Sequence, residues 1–168
     1  MNKKIKNATS CISNEIKFKS KLEKMAYDTL IEFGFKPQYE PYTYEIWSKF
    51  NPITPFYDKE TNSQQKKRIN NGDKDKLKIL TLNNKSIIGI KYTPDFYFKY
   101  NDINVYLEIK GFENDLYYIK KKMFRKYLDD LYLKDNIKSI FFEIYSKKQL
   151  LQAINIIKNN KFEWKIPV

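Results

Sequence analysis

A chain of 168 residues is long enough for one domain with a substantial core and short for two. It holds no histidine and a single cysteine, Cys11, which excludes Ser-His-Asp and Cys-His nucleophile systems, zinc sites built on Cys and His, and an internal disulfide framework. Its 32 Lys and Arg outnumber 20 Asp and Glu for a net charge of +12, and that excess favours polyanionic partners, nucleic acid before anionic membrane.

No run approaches the ~18 apolar residues of a membrane span. The start, Met1-Asn-Lys-Lys, is basic, but no apolar segment of the signal-peptide kind follows it. The sequence therefore predicts a soluble, cytoplasmic protein with no membrane partner. The chain has four glycines; none has the spacing of a phosphate-binding loop, so no small-molecule cofactor is expected.

Residues 1–14 are polar, basic and aperiodic, and they read as a flexible arm ahead of a single domain over 15–168. Leu22, Met25, Ala26, Thr29, Leu30 and Phe33 recur at three- and four-residue steps. They predict a helix over 21–33, stopped by Gly34. Ser20-Lys-Leu-Glu23 has the form of a capping box, a role that accounts for Glu23 by itself and is worth about 0.5–2 kcal/mol. Residues 38–47 read as extended, with Pro41 demoting that strand to an edge or a bulge. The pattern is lost after Asn51. An irregular polar insertion is expected at 51–76, around Lys66-Lys67-Arg68 and Asn70-Asn71-Gly72, either solvated or in contact with nucleic acid.

Strand signals follow at 77–82, 87–92, 95–100 and 105–110. Turns at Asn83-Asn84 and Asn101-Asp102 predict an antiparallel meander. A basic amphipathic helix is predicted over 115–133, with Leu116, Ile119, Met123, Tyr127 and Leu131 toward the core. Lys120, Lys121, Lys122, Arg125 and Lys126 take its other side, where they grip phosphates or simply meet solvent. Tyr117 and Tyr118 serve equally as packing or as stacking residues. Residues 137–145 read as a largely buried strand. Ser146 and Gln149 cap a last helix to about residue 158, and 162–166 adds an edge strand. The order predicts an α/β fold, a mixed central sheet flanked by helices.

The chemistry concentrates between Tyr92 and Gly111. Side chains alternate along a strand, so Val105, Leu107 and Ile109 point to one face and Tyr106, Glu108 and Lys110 to the other. Glu108 and Lys110 then stand about 7 Å apart on one face. With Asp95 on the neighbouring strand, two carboxylates and the backbone carbonyl of Ile109 can converge on one metal. Hard oxygen ligands suit Mg²⁺, with Mn²⁺ as a substitute, and Lys110 can stabilise the charge that develops on a phosphate. Alone, Thr-Pro-Asp is a common turn and Glu-x-Lys a common surface ion pair.

Pro94-Asp95 with Glu108-Ile109-Lys110 resembles the signature of the PD-(D/E)xK nuclease superfamily. The strings Ser20-Lys-Leu-Glu23, Gly34-Phe-Lys-Pro-Gln-Tyr-Glu-Pro, Tyr92-Thr-Pro-Asp-Phe and Glu108-Ile-Lys-Gly are similar, in this order, to phage endonuclease I-type Holliday junction resolvases. The resemblance covers about residues 18–145, and the segment between Trp47 and Tyr92 is longer than its pattern. It implies a restriction-endonuclease-like fold, Glu23, Asp95 and Glu108 as metal ligands, Lys110 as the catalytic lysine, and a homodimer. The implied activity is Mg²⁺-dependent hydrolysis of phosphodiester bonds in branched or duplex DNA, within phage DNA metabolism. The contrasting expectation is a basic phage accessory or host-interference protein that binds nucleic acid without cutting it.

Overall fold

The computed structural model describes residues 10–111, 115–160 and 162–164. The chain divides into two compact units, Met1–Ile46 with Lys91–Val168, and Trp47–Ile90 between them in sequence. In chain order the elements are β1 (Cys11–Ser13), β2 (Ile16–Phe18), α1 (Lys21–Glu32), β3 (Gln38–Tyr39), β4 (Tyr44–Trp47), β5 (Tyr57–Lys59), α2 (Asn62–Asn70) and β6 (Leu80–Leu82). Then follow β7 (Ile90–Tyr92), β8 (Phe96–Tyr100), β9 (Ile103–Ile109), α3 (Asp115–Asp135), β10 (Ser139–Ile144) and α4 (Lys147–Asn159). The fold is mixed α/β, as its sequence predicts.

The first unit is framed by a mixed four-stranded sheet in the order β10-β9-β8-β3. β8 and β9 form an antiparallel hairpin, β3 pairs antiparallel with β8, and β10 lies parallel to β9. Asn101 makes the hairpin turn at φ 52°, a left-handed conformation that asparagine tolerates. The parallel pair is possible because α3 returns the chain between its strands. β9 is buried on both faces. Val105, Leu107 and Ile109 enter a core with Phe18, Leu30, Phe96, Phe98 and the buried face of α4. Tyr106 points the other way and joins Tyr92, Tyr117, Phe124 and Leu128.

Local signals set the ends of the helices. Ser20 caps α1 by accepting from the Glu23 amide at 3.2 Å, and Gly34 ends it at φ 85°. Ser146 caps α4 in the same way, and Asn160 ends it in a left-handed conformation at φ 46°. Among the described residues, no helix is long and apolar enough to cross a membrane.

Several expectations are corrected. Part of the supposed arm is structured: β1 and β2 pair antiparallel through Asn14 and Glu15, both at positive φ; residues 1–9 lie outside the described residues. The extended segment 38–47 breaks at Pro41 into β3, an edge strand, and β4. The meander does not continue through four strands, because β6 pairs with β5 and β7 with β4. β10 is a half-buried edge strand. Phe162–Trp164 carries no strand, and 165–166 lies outside the described residues.

On α3, Tyr117, Phe124 and Leu128 are buried, whereas Leu116 and Ile119 are 47% and 56% exposed. The aromatic core draws rings ahead of aliphatic side chains: Phe124 packs against Tyr44, Tyr92, Tyr106, Tyr127 and Phe141.

The insertion expected to be irregular at 51–76 is ordered, and it belongs to a unit of its own within the single domain expected over 15–168. β5 and β6 pair antiparallel, and α2 opens on a complete capping box of Thr61 and Gln64. Glu60, 2% exposed, accepts from Arg68 Nη2 at 2.7 Å, Arg68 Nε at 3.2 Å and the Ile79 amide at 3.2 Å. Arg68 also donates to Asp73 at 2.6 Å and to the carbonyls of Asp75 and Leu77. The Arg68 guanidinium holds the Glu60 carboxyl below the usual carboxylate range. No large apolar side chain of this unit is buried among the described residues. A polar hub organises it, which is why apolar periodicity does not reveal it.

Candidate active site

Asp95 precedes β8 and Lys110 follows β9, so the open end of one hairpin carries both halves of the motif. The register pairs Phe96 with Leu107; one step further sets Asp95 opposite Glu108. The Ile109 amide donates to Asp95 Oδ2 at 2.6 Å. Glu108 is 4% exposed, a costly position for a carboxylate unless partners meet its oxygens. Both are met: the Tyr92 hydroxyl donates to Oε2 at 2.7 Å, and Lys110 forms an ion pair with Oε1. Lys110 also carries its ammonium 4.2 Å from the centre of the Tyr117 ring, a cation–π contact that restrains it. Ile109, buried, closes β9 between the two motif side chains.

Glu23 comes from α1 and is buried. In a closed capping box its carboxylate would take the Ser20 amide. Here it accepts instead from Ser20 Oγ at 2.8 Å, the Lys19 amide at 3.0 Å and the Tyr39 hydroxyl at 2.6 Å. The cap and a place beside the motif are therefore combined in one residue. Glu23 is near enough to act electrostatically on Asp95. The Asp95 carboxyl is held well above the usual carboxylate range, first by burial, then by the charge of Glu108, with Glu23 adding to both. The Ile109 amide and Lys110 pull the other way.

Asp95 and Glu108 thus face each other with Lys110 beside them, and Glu23 acts on Asp95 from α1; carboxylate oxygens are hard donors of the kind that hold Mg²⁺ or Mn²⁺. The donor set fits such an ion. Among the described residues, no three acidic side chains are gathered into a ready-made cation cage; each carboxylate is held by the hydrogen bonds just given.

The sequence reading missed the tyrosines. Burial, followed by the charge of Glu108, raises the Tyr92 hydroxyl above the phenol range, and burial with the Glu23 bond raises Tyr39. Both remain protonated donors, Tyr92 to Glu108 and Tyr39 to Glu23. Glu143 was missed as well. The parallel register sets it beside Glu108, and it accepts from the Tyr117 hydroxyl at 2.7 Å and from Lys121 through both oxygens at 2.9 Å. Alternation along β10 would have revealed this had the parallel partner been known.

Of the α3 cations, Lys121 is therefore tied to Glu143 at the inner edge of the helix. Lys126 pairs with Asp130 one turn on, in solvent. Lys120 is half-buried, and Lys122 and Arg125 are exposed. No family model, no curated protein and no solved structure matches the chain.

Proposed function

We propose that this protein is a Mg²⁺-dependent DNA endonuclease of the PD-(D/E)xK kind, with Mn²⁺ as a substitute, built on a restriction-endonuclease-like sheet. The observation that carries this reading is the meeting of Asp95, Glu108 and Lys110 at the open end of the β8–β9 hairpin, with Glu23 beside them. A net charge of +12 favours a nucleic acid as the substrate. The resemblance to junction resolvases adds branched DNA to duplex DNA as a substrate, phage DNA metabolism as the setting, and a homodimer as the working form.

Glu23, Asp95, Glu108 and the Ile109 carbonyl would hold the divalent ion. When bound, it supplies Lewis-acid polarisation of the scissile phosphate and a lowered pKa for the attacking water. Hydrolysis would form a P–O bond from a water and break the P–O bond to the leaving sugar oxygen, the proton that the water loses passing through solvent and the sugar oxygen taking one up. Lys110, steadied between Glu108 and the Tyr117 ring, donates to the phosphate or to the attacking water and offsets charge in the transition state. Tyr92 and Tyr39 hold Glu108 and Glu23 in orientation. Lys120, Lys122, Arg125 and Lys126 contact flanking phosphates, which position a duplex without reading its sequence; Lys121 joins them only by loosening its bond to Glu143.

The test compares cleavage of a four-way junction with that of a linear duplex of equal length, in Mg²⁺ and in EDTA. Cleavage in Mg²⁺ alone is expected, abolished by Asp95→Ala or Lys110→Ala while DNA binding stays within about twofold; full activity in either variant would sink the site assignment. Equal rates on the two substrates would identify a general nuclease.

The Lys110–Glu108 ion pair favours a second reading, because it balances charge at Glu108 without a metal. The chain would then be a basic accessory or host-interference protein with an inactive nuclease-like fold. That reading requires no cut in Mg²⁺ or Mn²⁺ and no change of DNA binding in Asp95→Ala.

A further inference from the structure

Between α3 and the edge strand β10 lies a cavity of about 370 Å³, a size within the ~300–1,000 Å³ range of small-molecule sites. Lys121, Arg125, Asp129, Ser139 and Glu143 line it together with Leu128, Ile140 and Phe141, of which Leu128 and Phe141 belong to the aromatic cluster of α3. Glu143 ties the cavity to the candidate site. It stands beside Glu108 in the parallel register and accepts from the hydroxyl of Tyr117, whose ring carries Lys110.

We infer that this cavity takes one unpaired base of a DNA strand lying across the candidate site. The inference rests on the nuclease reading for the choice of polymer. The lining selects a base over a phosphate. Lys121 is already neutralised by Glu143, which it meets with both oxygens at 2.9 Å. Asp129 offsets Arg125 in formal charge, so the lining offers a phosphate no net positive charge. A neutral heterocycle carries both donors and acceptors on its edge, which the carboxylates and the Arg125 guanidinium can satisfy together. Apolar walls suit the faces of a planar ring. A base inside a duplex cannot reach a cavity between a helix and a strand, so the nucleotide must be splayed out of its stack.

Binding is measured by fluorescence anisotropy in EDTA at fixed salt, on a short single strand, an abasic strand of equal length, and a duplex. The abasic strand keeps the phosphates and lacks the bases. The wild-type protein should prefer the base-bearing strand by at least about fivefold. Ser139→Leu, which narrows the cavity, should lower that ratio and leave duplex affinity unchanged. Asp129→Leu on exposed α3 is a second arm in case the first variant folds poorly. A phosphate site would make it tighten both single strands, whereas a base site makes it weaken the base-bearing strand alone. A wild-type ratio near one, or a ratio that neither variant lowers, overturns the inference. Because no divalent ion is present, the result is independent of whether the protein cuts.

Discussion

Asp95 is the residue on which the site's electrostatics converge. Burial and two neighbouring carboxylates disfavour its charge, and the Ile109 amide and Lys110 compensate only in part. In metal-free protein at neutral pH, that charge is a net cost to folding. Asp95→Asn removes it and keeps an oxygen for the Ile109 amide. We expect the variant to raise metal-free stability, read as a higher thermal midpoint, while cleavage is lost. A lowered midpoint would mean that the carboxylate is stabilised where it stands. Asp95, Glu108 and Lys110 were legible because strand alternation and a tight hairpin are short-range. Glu143 was not, because its place beside Glu108 depends on a strand that pairs only after the whole of α3 has intervened.

At the scale of elements, α3 and the hairpin are joined by rings. Phe124, fully buried, touches Tyr92, which donates to Glu108, and Tyr106 on the same strand. Phe124→Ala should cost about 3–5 kcal/mol in chemical denaturation and should lower cleavage further than the unfolded fraction explains, because Tyr92 loses its support. Activity falling only with the folded fraction would separate the aromatic core from the site. The phase of α3 was misread because periodicity counts apolar positions equally, whereas the space beneath this helix is filled by rings. In the inserted unit, Arg68 bonds the buried Glu60 and three further groups of the loop that follows α2. Arg68→Ala should open that segment to limited proteolysis within 60–80 while the first unit stays resistant. Unchanged protection there would show that the strand pairing alone holds the unit.

For the whole molecule, the proposed function together with the net charge of +12 predicts a DNA affinity that is salt-dependent in proportion to the phosphates neutralised. Lys122, exposed on α3, should account for one of them. Lys122→Ala is expected to flatten the slope of log affinity against log salt by about 0.9 and to weaken all sequences alike. An unchanged slope would remove α3 from the DNA surface. The sequence by itself determined the α/β class, the limits of α1 and α4, and the placing of Asp95, Glu108 and Lys110 about one hairpin. Each of these depends on caps, alternation and residue types that act over a few positions. Only the tertiary structure decided that β10 runs parallel to β9, that tyrosines hold two of the three carboxylates, and that Trp47–Ile90 forms a unit of its own. Those outcomes depend on contacts between distant segments and on an ion-paired hub, and neither leaves a period in the chain.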